Sequence, residues 1–464
     1  MSLDEKTRHG AVSQSITSPP QSSATSQTLD HGSAVDEAHQ KETQALSEKQ
    51  PQVSQQTAPA ISPPPNGGRV AWTQVLCGFL LFFNTFGILT SFGVFQTYYE
   101  SSSSTFRQSH SDISWIGSIQ AFLLQFSGFI AGPIYDRGYI RWLLAFGSFG
   151  VVFGHMMLSI SSSYWQVLLS QGFCVGLGMG CLYVPSISIL PTYFSTRLGL
   201  AIGLASAGSA VGGVIYPIVM QRLLEQVGFG WAVRVVGFIA LMTLSVPLAL
   251  MKMRFKPAKT RAMIDWTTFT DPAFMWFAVA TAIGFMGLCA FQIFFAFYAV
   301  EQNITTTNFS FSLVSIYNGM SAIGRIIPNA ISDKVGQFNI LTPAVLIAGA
   351  IYVSTIAVHS QGSMIAVTCL AGFFLGILTA LPPVCFAILT KDKSRLGTRI
   401  GTGFAIIAFG VLASGPVAGA ILQRSQPLDW SGLYAFTGVS MLISGSMYGA
   451  LRVKRSGIKP WIKA

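Results

Sequence analysis

The sequence predicts an all-α membrane protein: twelve transmembrane helices in two pseudo-symmetric six-helix bundles. Three observations carry that prediction. The 464-residue chain is 51% hydrophobic and only 10% charged, with a mean hydropathy of +0.54, whereas a soluble domain carries about 25% charge. Past residue 68 its apolar residues fall into twelve runs, each near the roughly 20 residues a bilayer requires. Three short motifs of the first half return in the second at nearly one offset.

In chain order, residues 1–68 come first. They are rich in Ser, Gln, Thr, Pro and Ala with mixed charge, so they bury too little to offset ordering entropy and read as a disordered cytoplasmic tail. No short apolar core lies near Met1, so no cleaved signal peptide is expected, and the run from Val70 serves as an uncleaved anchor. The expected spans are 70–98, 112–133, 140–160, 164–190, 197–221 and 231–252, then 272–300, 310–332, 338–358, 363–390, 397–421 and 431–452. Gly and Pro recur inside them, as membrane helices tolerate. Residues 69–252 form the first bundle, 253–270 a cytoplasmic linker, 271–452 the second bundle and 453–464 a cytoplasmic tail.

Charge sets the orientation. The net charge is +11 and the pI about 9.5. Arg137, Arg141, Arg197, Lys334, Lys391, Lys393, Arg395 and Arg399 lie in alternate loops on the side of the termini, joined by Lys252, Arg254, Lys256, Lys259 and Arg261 in the linker and Lys454, Arg455 and Lys459 at the end. The opposite loops hold Arg107, Arg222 and Arg424. Positive loops mark the cytoplasmic side, so the basic balance reads as topology and not as nucleic-acid binding. A cell membrane is expected, with the vacuolar membrane as the alternative. Two sequons, at Asn303 and Asn308, then face outward as glycan acceptors, in a short loop.

The repeat is specific. Gly132-Pro-Ile-Tyr-Asp136-Arg137-Gly-Tyr-Ile-Arg141 returns as Asn329-Ala-Ile-Ser-Asp333-Lys334-Val-Gly336, 197 residues on; Gly176-x-x-x-Gly180 returns as Gly372-x-x-x-Gly376; Ser195-Thr-Arg197-Leu-Gly199 returns as Lys393-Ser-Arg395-Leu-Gly397. Duplication of this kind builds a carrier with its site between two halves. Gly132 permits close helix approach, and Asp136, Arg137, Arg141, Arg197, Asp333 and Lys334 form a candidate conformational latch that pairs or caps helix ends; a static loop brace is the alternative.

These motifs resemble those of the major facilitator superfamily, with twelve spans and this loop signature in both halves. Within it the chain resembles the monocarboxylate porter family, fungal branch. Asn66-Gly67-Gly68-Arg-Val-Ala-Trp72, Ser91-Phe-Gly93-Val-Phe95-Gln-Thr-Tyr-Tyr99 and Tyr193-Phe194-Ser-Thr-Arg197-Leu-Gly-Leu-Ala201-Ile-Gly203 carry that likeness. It implies secondary active transport by alternating access, often of monocarboxylates with protons. Gly324-Arg325 matches the arginine that binds the substrate carboxylate in that family. Three positions depart from it: Thr90 stands near a basic residue of animal members, Ser321 replaces an acid four residues before the arginine, and Asn66 replaces Asp. Lactate-type proton symport loses its usual groups.

The residues alone point the same way. Arg325 sits two turns into an apolar helix, and an unpaired cation there is costly unless a partner or a wet cavity receives it. Asp333, two turns on and about 12 Å along the axis, is too far for a direct ion pair. An anionic cargo is the expected partner, with Asn84, Thr90, Tyr183, Tyr317 and Asn318 as further candidate lining residues. Arg234, one turn into its span after Trp231, reads as an interfacial anchor. Phe291, Phe294, Phe295 and Phe297 read as packing or lipid-facing rings. The acids from Glu100 to Asp429 all fall near helix ends, so none sits where a membrane proton relay places its carboxylate. His155 and His359 read as packing or interfacial residues. The six cysteines are scattered through apolar runs, without metal or disulfide spacing. No cofactor or metal is expected, and no cluster at one depth supports an enzyme. The expected function is secondary transport of a small organic anion or weakly acidic metabolite, with or without a proton. Efflux of a secondary metabolite leads; uptake of a nutrient, or a non-transporting sensor with a carrier fold, are the alternatives.

Overall fold

The computed structural model describes residues 64–100, 110–254, 265–424 and 428–457. The expected tail up to residue 63, the linker residues 255–264 and the last residues from 458 lie outside them, as do Arg107, Lys256, Lys259, Arg261 and Lys459. The described residues form an all-helical bundle. α1 runs through Arg69–Asn84, Phe86–Thr90 and Phe92–Glu100; α2 through His110–Phe126 and Gly128–Asp136; α3 is Ile140–Leu158. α4 comprises Tyr164–Val167, a π-helical stretch Leu168–Val175, Gly176–Ser188 and Leu190–Tyr193. α5 and α6 share one run, Leu198–Leu250, divided at Gly228. Then follow α7 (Pro272–Glu301), α8 (Thr307–Val335), α9 (Gln337–Ser354 with a 3₁₀ turn Thr355–Ala357), α10 (Gln361–Leu389), α11 (Leu396–Leu422) and α12 (Trp430–Ser456).

Among the described residues, nine stretches are long and apolar enough to cross a membrane, and one of them, 53 residues long, holds both α5 and α6. α8 and α12 are as long but more polar, α8 because it carries Arg325, Asp333 and Lys334. Lipid contact is written on the surface. Trp142, Phe146, Phe149 and Phe153 follow helical spacing along α3 and are all exposed, Phe146 at 65%. Such a stripe would be inverted in water; in a bilayer it faces hydrocarbon.

Helix starts follow capping chemistry. The Asp271 carboxylate accepts from the Ala273 and Phe274 amides ahead of Pro272 at the first helical position, Thr306 caps α8, and Asp429 caps α12. Burial pushes the Asp271 pKa up. The Arg399 hydrogen bond, the two amides and the Arg399 charge outweigh that and leave it below its ordinary 3.8.

Three features depart from the expected outline. Residues 222–230 were expected as a loop, but the helix continues and turns only at Gly228, whose φ of 75° is open to a residue without a Cβ. Residues 64–68 were assigned to the disordered tail, yet Asn66 is fixed: its side-chain oxygen accepts from the Ser195 and Thr196 amides at 2.6 and 2.9 Å, and its own amide donates to Tyr193 O. The linker ends in an ordered segment, Asp265–Asp271, with a short helix Thr267–Thr270. Arg395 pairs with Asp265 at 2.8 Å and Arg399 with Asp271 at 2.6 Å.

α1, α3, α4, α5 and α6 pack together, as do α7, α8, α9, α10 and α12. Between these halves the main contacts are α5 with α8 and α2 with α11. The site lies on those two seams.

Candidate functional site

Arg325 lies inside the protein, 7% exposed, on the α5–α8 seam. Its Nη1 donates to the backbone carbonyl of Ser206 in α5 at 3.0 Å, and its Nε to Ser321 Oγ one turn earlier at 3.2 Å. No carboxylate lies within ion-pair distance of it among the described residues. Its electrostatic neighbours are the phenols of Tyr183 and Tyr317. A full positive charge is thus held by neutral acceptors at membrane depth. Such a group is matched best by an anion.

The two seams are built alike. Gly128 and Gly132 of α2 meet Gly401 and Gly397 of α11 backbone to backbone; Arg325 and Asn329 of α8 present their backbone to Gly203 and Gly199 of α5. A Cβ on any of these four α5 and α11 glycines would strike the opposing chain, so glycine is required for the approach. At the end of each seam an aspartate caps a helix of the other half. Asp136 accepts from the Gly397 amide at 2.9 Å and the Thr398 amide at 2.6 Å; Asp333 accepts from the Gly199 amide at 2.7 Å and the Leu200 amide at 3.0 Å. Both carboxylates therefore sit on helix N-termini, where exposed N–H groups and the helix dipole favour negative charge. Towards the other face the α2–α11 seam loosens: Gly415 has only Ser118 Oγ at 3.9 Å and Ile293 Cδ1 at 4.0 Å near its Cβ position.

The other expected latch residues are placed as follows. Arg141 reaches the Leu248 carbonyl at 3.5 Å within its own half, Arg197 is the exposed residue before α5, Lys334 is exposed, and Arg137 is half-buried at the end of α2. Of the expected lining residues, Tyr183 packs edge-on against Phe82, Phe86 and, across the halves, Phe404. Thr90 and Asn318 converge: their side-chain oxygens lie 2.7 and 3.0 Å from the Cβ position of Gly213. Tyr317 is fully buried beside Phe291 and Phe295. Asn84 makes its hydrogen bonds within its own half in this arrangement: its Nδ2 donates to Leu80 O and Thr243 Oγ1, and its Oδ1 accepts from the Tyr216 hydroxyl, which ties α1 to α5 and α6. Phe291 and Phe295 are packing rings and Phe297 is exposed, as their pattern suggested. Arg234 lies over Trp231 and donates to Ser159, the geometry of an interfacial anchor. Asn303 is exposed in the turn before α8; the Asn308 side chain lies outside the described residues. No group of His, Cys, Asp or Glu with metal-site geometry occurs among the described residues.

Sequence reasoning missed Ser206, whose contribution is a backbone atom, and Asn329. It also missed Gly203 and Gly401, although both lay in the repeat: at the 197-residue offset Arg325 stands where the first half has Gly128, and Asn329 where it has Gly132.

Two helical halves joined by glycine seams, with a buried cation between them, have the architecture of a membrane carrier. The sequence profile of the Major Facilitator Superfamily matches residues 74–382, and the chain belongs to that family. It is 55% identical to the MFS-type transporter dbaD of Emericella nidulans over 380 residues, 82% of this chain and 85% of the relative. It is 33% identical to the aspyridones efflux protein apdF of the same organism, over 86% of this chain and 81% of the relative. Among solved structures the human organic anion transporter MFSD10 superposes with a TM-score of 0.64 at 12% identity, over 82% of this chain and 98% of that one. The fucose:proton symporter FucP in its outward conformation gives 0.61 at 16%, over 82% and 99%. The protein is a transporter and not an enzyme.

Proposed function

We propose that this transporter exports a small organic anion or weakly acidic secondary metabolite by alternating access, and that Arg325 receives the anionic group. The observation that carries the reading is the guanidinium itself, held inside the protein at the α5–α8 seam by a backbone carbonyl and a hydroxyl, with no acid among the described residues to neutralise it. Tyr183, Tyr317, Thr90 and Asn318 are the lining groups nearest this reading. The relative named for aspyridone efflux supports export over uptake. The porter-type motifs at Asn66, Ser91 and Tyr193 support placement with the monocarboxylate porters.

In this reading the Asp136 and Asp333 caps face the cytoplasm, as the basic loops argue, and both termini lie there in a cell membrane. The seams are closed on that side, so the arrangement is the one that opens outward. Asp136 and Asp333 act as the latch that must release before the cytoplasmic side admits cargo. With no mid-membrane carboxylate, the cargo brings its own proton or moves without one.

The test is transport by the purified protein in liposomes, with a panel of carboxylic acids and acidic phenols, comparing wild type with Arg325→Ala. The reading expects at least one acid to move and Arg325→Ala to lose most of that flux. Undiminished flux in Arg325→Ala removes the anion site while leaving the carrier intact.

A further inference from the structure

The α5–α8 seam holds a polar group that the closed state does not use. Asn329 is fully buried, one turn after Arg325 on the same helix face. Its Nδ2 donates to the Arg325 carbonyl at 2.6 Å, while its Oδ1 is buried with no hydrogen-bond partner among the described residues. An idle buried acceptor is costly, and the equivalent position in the α2–α11 seam is the glycine Gly132, which packs without any polar group.

The seam also poses a problem for the empty carrier. Ser206 belongs to the other half, so opening the seam takes its carbonyl away from Arg325. With cargo bound, the anion replaces that partner. Without cargo, the guanidinium would keep only the Ser321 hydroxyl of its own helix, a poor match for a full charge at membrane depth. A second acceptor that stays on helix α8 removes the obstacle, and a swing of the Arg325 side chain from Ser321, one turn before it, to Asn329, one turn after it, would bring the guanidinium to Oδ1.

We propose that Asn329 is a positioning residue for Arg325: its Oδ1 receives the guanidinium when the seam opens without cargo. The empty carrier then reorients, and the protein performs net transport instead of obligatory exchange. The inference rests on the reading that Arg325 meets the cargo, but its test uses no cargo, so either can fail alone.

The test follows seam opening in the purified, substrate-free protein in detergent. The six native cysteines are replaced by alanine, and Ser206→Cys reports opening through its rate of reaction with a maleimide. Asn329→Ala and Asn329→Leu are each expected to slow labelling about tenfold, the size of one hydrogen bond to a charged group. Asn329→Gln, which keeps the amide oxygen, restores most of the rate. In an Arg325→Ala background the Asn329 substitutions are expected to change nothing, because no guanidinium needs receiving. Unchanged or faster labelling in both Asn329 variants overturns the proposal. So does equal slowing with and without Arg325, which assigns Asn329 to helix packing through its Nδ2 bond.

Discussion

At the scale of single residues, charge placement explains most of what this chain does. Asp136 is the clearest case. It caps a helix of the opposite half, so removing it weakens the closed state. Replacing a capping residue by alanine costs about 0.5–2 kcal/mol, which corresponds to a shift of about two- to thirtyfold towards the open state. Spin labels at Tyr139 and Lys391, exposed positions flanking that seam, should show the long-distance population growing in Asp136→Ala. An unchanged distance distribution would assign the cap to a static brace. Asp271 gives a pH signature. Its folded pKa is depressed below the ordinary 3.8, so its contribution is complete above that value and lost as pH falls through the lower one. The Tm difference between wild type and Asp271→Asn should hold steady from pH 7 to about 5 and close under stronger acid. A difference that grows on acidification would mean the pair with Arg399 is not what sets it.

At the scale of helices, the seams depend on atoms that glycine lacks. Gly401 faces the Gly128 backbone, whereas Gly419, on the same helix, has nothing within 4 Å of its Cβ position. Gly401→Val should therefore destabilise the closed arrangement by about 1–3 kcal/mol, the usual cost of overpacking, and Gly419→Ala should be silent. Thermal unfolding and the same spin-label pair read both. Span lengths were legible in the sequence because hydropathy and bilayer thickness are local constraints. The helical turns across residues 222–230 were not, because Gly228 reads as part of a longer loop until it is seen as the single break between α5 and α6. The short breaks in α1 at Thr85 and Ser91 and the π-helical stretch in α4 were equally hidden, since each is set by tertiary packing and not by local propensity.

At the scale of the whole molecule, the repeat is the organising fact. It was legible as three motifs at offsets of 196–198 residues, and it predicted that Asp136 and Asp333 act in parallel. It did not tell what they hold, because their partners are backbone amides brought in from the other half. Arg325 was legible as an unpartnered cation; the Ser206 carbonyl was not, since any residue can offer one. The tie from Asn84 to Tyr216 and Thr243 was hidden too, because a polar residue in an apolar span looks the same whether it faces a cavity or joins helices. The repeat also shows where the two seams differ. One is glycine on glycine, and the other carries Arg325 and Asn329 at the equivalent places. On the proposed reading of Arg325, that asymmetry places cargo sensing at α5–α8 and leaves α2–α11 as the plain hinge surface.

The central claim, that Arg325 anchors the negative group of the cargo, is tested most directly by ligand-induced stabilisation of the purified protein. Ligand at about 100 times its Kd adds about 2.7 kcal/mol, enough to move the Tm by several degrees. A panel of organic acids should be run beside their methyl esters, on wild type and on Arg325→Ala. The account predicts that at least one acid raises the Tm of wild type, that its ester does not, and that the acid has no effect on Arg325→Ala. An ester that stabilises as well as its acid, or an acid that stabilises Arg325→Ala equally, would contradict it.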